Sequence, residues 1–196
     1  MLTTRKSLIV GIGGTTTPGS TTEAALRVAL AAAEAEGVST RLFDGSALAA
    51  LPHFARGAIE SSVVARELVE AVRLADGLII ASPGYHGSIS GLVKNGIDYL
   101  EETAKDGRMY LDGLPVGLVV TAYGWQATGS TLAALRSIVH ALRGWPTPLG
   151  AAIKAAPGLF SEGCCADPEA TVQLEKVGRQ VVEFARSRTP LVLATA

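Results

Sequence analysis

Short apolar runs alternate with helical patterns along this chain. Five runs have the length of a strand, and they cover residues 7–12, 39–44, 77–81, 115–121 and 147–153. Between them, apolar residues recur at spacings of three and four, as in Val64, Leu68, Val72 and Ala75. Strands that alternate with helices predict an α/β fold with a doubly wound parallel sheet and helices on both faces.

The helical patterns complete this picture. Residues 21–36 and 91–100 each follow a strand and a glycine-containing loop and are predicted to be helices. Two later stretches carry their apolar residues on one helical face. The first has Leu132, Leu135, Val139 and Leu142, and the second has Leu174, Val177, Val181 and Phe184. No repeat, low-complexity segment or long linker divides the sequence. We expect a single domain over residues 1–196.

Composition and charge exclude several classes of protein. Apolar residues make up 48% of the 196 residues and charged ones 18%, as in ordinary globular domains. The formal net charge is −1 and no long basic run could neutralise a nucleic-acid backbone, so we expect no nucleic-acid partner. No apolar stretch is long enough for a membrane span and no signal peptide is recognisable, so we expect no membrane partner and a cytoplasmic protein.

The two cysteines, Cys164 and Cys165, are adjacent. Neighbouring Cα atoms lie about 3.8 Å apart, closer than an ordinary disulfide accepts. A reduced cytoplasmic protein is the simpler interpretation, and a thiol pair that relays electrons or traps a metal is the alternative. The three histidines show no metal-ligand spacing, so we expect no metal site of the usual kind.

The loop after the first strand is rich in hydroxyl groups at the start of a helix. Its side chains are those of Thr15, Thr16, Thr17, Ser20, Thr21 and Thr22. Unpaired N–H groups and the helix dipole at such a position can hold a phosphate, while a plain N-cap with Ser20 and Glu23 as a capping box is equally compatible. The dinucleotide fingerprint fails at Thr16, which replaces its last glycine, and the P-loop fails at Ser20, which replaces its lysine.

The loop after the third strand carries the more specific pattern. In a doubly wound sheet, ligands bind beyond the carboxyl ends of strands where the strand order reverses, which places this loop beside the first one. Gly84 and Gly87 permit backbone conformations and close approaches that a Cβ would prevent. The sequence from Ser82 to Tyr99 reads Ser-Pro-Gly-Tyr-His-Gly-Ser-Ile-Ser-Gly-Leu-Val-Lys-Asn-Gly-Ile-Asp-Tyr.

This segment resembles the flavin-ring motif of the NAD(P)H-dependent FMN reductase family. The first loop is similar to the family's phosphate loop at Thr15, Ser20 and Thr22, although Thr17 stands where arginine is common. The resemblance implies a flavodoxin-like, five-stranded parallel sheet of order 2-1-3-4-5. It also implies FMN as cofactor and NADPH or NADH as hydride donor.

The resemblance assigns the site residues to three loops. In the family, the loop after the fourth strand flanks the flavin ring, although a glycine-rich turn whose tryptophan covers a core edge would give the same pattern. The implied cofactor-binding residues are Thr15, Thr17, Gly19, Ser20, Thr21, Thr22, Ser82, Pro83, Gly84, Tyr85, His86, Gly87, Ser88, Tyr123, Gly124, Trp125 and Gln126. His86 is expected to contribute its backbone, and no side chain is assigned a catalytic role.

The expected activity is hydride transfer from reduced nicotinamide to FMN and onward to an acceptor. Free flavin serving a partner monooxygenase, a quinone, an azo dye, a nitroaromatic or a metal oxyanion are all compatible with the sequence. An electron-carrier flavodoxin and a flavin-free phosphate-binding protein are the alternatives from other classes, and the near-neutral charge disfavours the carrier. The family resemblance also implies a homodimer or homotetramer.

Overall fold

The structure, a computed structural model, describes residues 5–161 and 163–188. Its main sheet contains six strands, which are β1 (Leu8–Gly13), β2 (Ser39–Phe43), β3 (Gly77–Tyr85), β4 (Ser88–Ile89), β5 (Pro115–Ala122) and β6 (Trp145–Lys154). Five of them are parallel and lie in the order β2-β1-β3-β5-β6, while the short β4 pairs antiparallel with the end of β3. The predicted fold class and parallel strand order are confirmed.

Helices cover both faces of this sheet. They are α1 (Thr21–Ala35), α2 (Gly45–Ala49), α3 (Ala58–Ser61), α4 (Val63–Leu74), α5 (Gly91–Asp98), α6 (Trp125–Ala141) and α7 (Pro168–Arg188), and a 3₁₀ helix, Tyr99–Thr103, continues α5. One core packs α1 and α7 on the sheet, and the other packs α4, α5 and α6 on the opposite face. The crossover helices of a parallel sheet produce this arrangement.

The central strand β3 explains why both faces must be covered. Leu78 and Ile80 belong to the core under α4, α5 and α6, whereas Ile79 and Ala81 belong to the core under α1 and α7. Successive side chains of a strand point to opposite faces, so an uninterrupted apolar run buries both of them.

Several boundaries differ from those that the patterns predicted. The third strand, predicted to end at Ala81, continues to Tyr85, because Pro83 still pairs with Thr121 of β5 and the last two residues pair with β4. The helix predicted around Leu132 begins at Trp125, within a segment predicted as loop. The buried side of its first turns consists of threonines, which the search for apolar periodicity does not detect.

A second, two-stranded sheet precedes α7. Its strands are β7 (Phe160–Ser161) and β8 (Cys164–Cys165), paired antiparallel. Sequence analysis predicted no element here.

Within the described ranges, no helix combines the length and apolar character that crossing a membrane requires. Of the predicted domain, residues 1–4, 162 and 189–196 lie outside the described residues.

Candidate functional site

The three segments predicted to form a site lie side by side at the carboxyl edge of the sheet. They are the β1–α1 loop, the β3–β4 hairpin and the β5–α6 junction. Gly13 at the end of β1 is in register with Ala81 of β3, and Pro83 of β3 is in register with Thr121 of β5. The order of the parallel strands therefore brings these distant parts of the sequence together, as predicted.

The first segment ends in an open helix N-terminus. Ser20 is the N-cap of α1, and its side-chain oxygen accepts a hydrogen bond from the Glu23 N–H at 3.3 Å. The N–H groups of Thr21 and Thr22 have no acceptor among the residues that the structure describes. Because the helix dipole adds partial positive charge here, these two donors can receive an anion.

The predicted capping box forms only in part. The carboxylate of Glu23 does not return to the Ser20 N–H, which donates to the Thr17 carbonyl oxygen instead. It accepts two hydrogen bonds from Arg27, at 2.9 and 2.8 Å. Arg27 also lies 3.8 Å from the carboxylate of Asp44, the N-cap of α2, so the cation nearest to this loop in sequence is already paired with carboxylates.

Backbone contacts fix the course of the first loop. The Thr15 hydroxyl oxygen accepts a hydrogen bond from the Thr17 N–H at 3.1 Å, which closes a tight turn. On the other side, a Cβ at Gly45 would overlap the Thr15 carbonyl oxygen, so the loop and the start of α2 meet backbone to backbone. Thr16, Thr17 and Gly19 remain exposed beyond this contact.

Thr22 occupies a different environment from the other threonines of this segment. It is buried, and its hydroxyl oxygen lies 2.6 Å from that of Thr121 at the end of β5. The Thr22 side chain therefore connects two segments of the site inside the protein, and its backbone N–H is the part that faces the open helix end.

Ser82 and Pro83 are buried beneath the second segment. The Ser82 hydroxyl donates to the Pro83 carbonyl oxygen at 2.9 Å and accepts from the Ser90 N–H at 3.0 Å. Ser90 is in turn the N-cap of α5. Because the Ser82 hydroxyl is used within the fold, any contact from this residue to a ligand has to involve its backbone.

A two-residue turn presents the exposed part of the hairpin. Tyr85 pairs with Ser88, and the residues between them, His86 and Gly87, have φ angles of +52° and +86°. Two positive φ values are typical of the type I′ turn that joins tightly paired strands. His86 is exposed, and its position is set by backbone geometry.

Gly84 faces α6. A Cβ at Gly84 would lie 2.8 Å from the Thr131 hydroxyl oxygen and 3.1 Å from the Ala122 Cβ. Thr131 is fully buried and its hydroxyl donates to the Ser88 carbonyl oxygen at 3.3 Å. The glycine thus permits close contact between the hairpin and α6. The sequence pattern gave no reason to select Thr131, Thr121 or Ser90, which hold the site from below.

The third segment brings two further aromatic residues to the edge. Tyr123 and Trp125 are 83% and 66% exposed, and Tyr85 of the hairpin is 52% exposed. Gly124 is the N-cap of α6, and the exposed Gln126 lies in its first turn. Three exposed aromatic side chains at one edge provide surfaces on which a planar ligand can stack.

The described residues whose pKa values are shifted lie outside the three segments of the candidate site. The hydrogen bond that Arg73 donates to the Asp106 carboxylate raises the pKa of Arg73, burial lowers the pKa of Arg108, and burial raises the pKa of Tyr99. The hydrogen bond to Glu101 raises the pKa of Tyr110. Arg108 donates to the Ala75 and Arg73 carbonyl oxygens, at 2.8 and 2.9 Å, and thereby caps α4, which is a structural role.

Similar proteins were found by sequence and by structure. Among curated proteins, an FMN-dependent NADPH-azoreductase of Staphylococcus aureus is 37% identical over 83 residues, which are 42% of this chain and 40% of that protein. The chain thus matches less than half the length of this relative. An NADH:FMN oxidoreductase, solved in its apo form, has a TM-score of 0.68 and 25% identity, with 92% of this chain and 89% of that chain covered.

A third relative supports the fold alone. The flavoenzyme NAD(P)H:(acceptor) oxidoreductase FerB of Paracoccus denitrificans has a TM-score of 0.73 at 18% identity, with 92% of this chain and 98% of that chain covered.

The family model described as NADPH-dependent FMN reductase matches residues 7–157, which include the three segments at the carboxyl edge. This chain belongs to the NADPH-dependent FMN reductase family.

Proposed function

We propose that this chain binds FMN at the carboxyl edge of its sheet and reduces it with NAD(P)H. The observation that supports this most directly is the meeting of an open helix N-terminus with three exposed aromatic side chains at one edge. An anion site beside a stacking surface matches a ligand with a phosphate at one end and a planar ring at the other.

The first segment fits the phosphate. The free N–H groups of Thr21 and Thr22 and the hydroxyls of Thr17 and Ser20 provide donors without a basic side chain, whereas the Thr15 hydroxyl is bonded to the Thr17 backbone. The fit rests on backbone amides and the helix dipole, since Arg27 is paired with Glu23.

The second and third segments fit the ring. The exposed residues Tyr85 to Ser88 offer backbone groups, while Tyr85, Tyr123 and Trp125 supply aromatic faces. The buried hydroxyls of Ser82 and Thr131 hold this backbone in place from below. A preformed backbone of this kind orients a cofactor without a charged side chain.

Bound FMN would supply the acceptor of the hydride that NAD(P)H donates. The chain's own residues bind and orient the two reactants, and no side chain has to gain or lose a proton in the transfer. The exposed surfaces of Tyr123 and Trp125 are where a nicotinamide or an acceptor ring would pack.

Flavin titration followed by NAD(P)H oxidation tests the proposal. The fluorescence of added FMN should be quenched or shifted when the protein binds it. The FMN-loaded protein should then oxidise NADH or NADPH under air. Ser62→Ala is a matched control for Ser20→Ala, since Ser62 caps α4, which packs on the face of the sheet opposite α1. A protein that fails to take up FMN would contradict the proposal, and one that binds FMN without oxidising nicotinamide would be an electron carrier.

An azo compound is a second candidate acceptor besides free flavin. The azoreductase relative and the exposed aromatic pair Tyr123 and Trp125 favour it, because azo dyes are planar and aromatic. A quinone, nitroaromatic or metal oxyanion, a partner monooxygenase that receives reduced flavin, a homodimer or homotetramer and a cytoplasmic location remain predictions from the sequence.

A further inference from the structure

The capping box at the start of α1 lacks the half that its glutamate would normally form. In a complete box, a glutamate three residues after the N-cap accepts a hydrogen bond from the backbone N–H of the N-cap residue. Ser20 forms its own half, since its side-chain oxygen accepts from the Glu23 N–H at 3.3 Å. The Ser20 N–H donates to the Thr17 carbonyl oxygen, and the Glu23 carboxylate accepts from Arg27 instead.

Arg27 is held by two carboxylates from different elements. Its Nε and Nη2 atoms both donate to Oε1 of Glu23, at 2.9 and 2.8 Å. Nη2 also lies 3.8 Å from Oδ2 of Asp44, whose Oδ1 accepts from the Ala47 N–H as the N-cap of α2. The guanidinium is therefore fixed between α1 and the start of α2, and it fixes the Glu23 carboxylate in turn.

Without Arg27, the Glu23 carboxylate would be drawn to the end of α1. Helical side chains tilt towards the N-terminus of their helix, and the helix dipole attracts a negative charge there. The Glu23 side chain is 11% exposed, so its charge has little access to water and needs a donor within the protein. The Ser20 N–H is the donor that the capping-box geometry offers, and its present bond to Thr17 is long, at 3.3 Å.

A carboxylate at the end of α1 would compete with the flavin phosphate. The proposed function assigns the phosphate to the N–H groups of Thr21 and Thr22, which directly follow Ser20. A second negative charge beside these donors would repel a phosphate and share the same partial positive charge of the helix. The position of the Glu23 carboxylate therefore determines how well this end of the helix receives an external anion.

We infer that Arg27 is a positioning residue that makes the site select FMN over riboflavin. By binding Glu23, it keeps an internal anion away from the phosphate donors. This inference rests on the proposed function, and it gives Arg27 a role without contact to the flavin. The loss caused by removing Arg27 should consequently depend on the presence of Glu23.

Flavin titrations on the full chain test this role through the ratio of the FMN and riboflavin dissociation constants. Arg27→Gln frees Glu23 and should lower FMN affinity about tenfold relative to riboflavin, the effect of one charge-assisted hydrogen bond. Arg27→Lys still pairs with Glu23 and should keep most of the native preference for FMN. Arg27→Gln combined with Glu23→Ala has no competing carboxylate and should restore that preference.

Arg179→Gln is the matched control. It breaks an ion pair of the same i,i+4 type, with Glu175 at 3.1 Å on α7, outside the three segments of the site. This variant should bind both flavins as the native protein does. A general loss of stability would lower both affinities and leave their ratio unchanged, so the ratio separates positioning from a purely structural role.

Inorganic phosphate gives a readout that needs no flavin. Its binding is followed by the amide resonances of Thr21 and Thr22 in the flavin-free protein. Arg27→Gln should bind phosphate about tenfold more weakly than the native protein, and the double variant should bind it as the native protein does.

Three results would overturn the inference. They are equal affinities of the native protein for FMN and riboflavin, a ratio that Arg27→Gln leaves unchanged, and a double variant that stays as weak as Arg27→Gln. If the native protein bound neither flavin, the proposed function would fail. The phosphate titration alone would then decide whether Arg27 keeps Glu23 from the helix end.

Discussion

The hydroxyl oxygens of Thr22 and Thr121 lie 2.6 Å apart in the interior and join the first turn of α1 to the end of β5. This contact connects the candidate phosphate loop to the aromatic segment that follows β5. Its partners are separated by 99 positions in the sequence.

Replacing Thr121 by valine should weaken both the fold and FMN binding. Valine has nearly the shape of threonine but leaves the buried Thr22 hydroxyl without its partner, which costs about 1 to 3 kcal/mol. Urea denaturation measures the first effect and fluorescence titration the second. Thr121→Ser keeps the hydroxyl and should restore FMN affinity; equal losses in both variants would show that the hydroxyl pair does not matter.

Ser20→Ala should lower FMN affinity more than riboflavin affinity. The substitution removes a helix cap worth about 1 kcal/mol and a hydroxyl donor at the open end of α1. Ser62→Ala removes an equivalent cap from α4, where the Ser62 hydroxyl accepts from the Ala65 N–H at 3.2 Å. Both variants should lose similar stability in thermal unfolding, and only Ser20→Ala should discriminate between the two flavins.

Gly84→Ala should displace the hairpin from α6. Its Cβ would press on the Thr131 hydroxyl oxygen, so we expect FMN affinity to fall by about tenfold or more, as for a 1.4 kcal/mol loss. Adding Thr131→Ala to this variant should recover part of the affinity, since it removes the group that the Cβ meets. If the two substitutions lower FMN affinity additively, the contact between the new Cβ and the Thr131 hydroxyl is not the cause of the loss.

The role of His86 can be separated into side chain and backbone. Asparagine tolerates the positive φ of this residue and valine does not, at a cost of about 1 to 2 kcal/mol. His86→Asn should therefore keep the rate of flavin reduction within about tenfold of the native rate. This rate should also be nearly independent of pH from about 6 to 8. His86→Val, in contrast, should weaken FMN binding. A thousandfold slower reduction in His86→Asn, with FMN bound, would identify a catalytic acid.

Tyr99 should make stability depend on alkaline pH. Its phenol donates to the Pro52 carbonyl oxygen at 2.9 Å, and burial, with a smaller effect of Glu102, raises its pKa. Because folding favours the neutral phenol, this stabilisation is complete below the unfolded pKa and is lost as pH rises through the folded one.

The free energy of unfolding should consequently fall above about pH 10. Tyr99→Phe should lower stability by about 1 kcal/mol at neutral pH and make the alkaline decline shallower. The exposed Tyr85 provides the control, and Tyr85→Phe should leave both quantities unchanged in denaturation series between neutral and alkaline pH.

Apolar runs were sufficient to predict the five parallel strands, because strands such as β3 are buried on both faces, while the order of these strands was implied by the family resemblance. The resemblance at 82–99 predicted the family, which is confirmed. At the level of that family, the expected FMN and nicotinamide cofactors and the oxidoreductase class are confirmed as well. The assignment of individual residues to FMN stays a prediction.

The supporting contacts could not be predicted from periodicity. Ser82 and Thr131 are buried polar residues that each have a hydrogen-bond partner outside their own strand or helix, Ser90 at eight positions and Ser88 at 43 positions respectively. The hairpin turn did have a local signal, since histidine followed by glycine suits two positive φ angles, but the strand pattern before it had already ended at Ala81.

The backbone contact between Thr15 and Gly45 has a consequence for how a ligand is received. Because the start of α2 leaves no space for a side chain against Thr15, this end of the loop is held in place before anything binds. The entropy of ordering it is then part of folding, and association loses less conformational freedom than it would with a mobile loop. Widening this contact, as Gly45→Ala would do, should transfer that cost to the binding step and appear in calorimetry as a less favourable binding entropy.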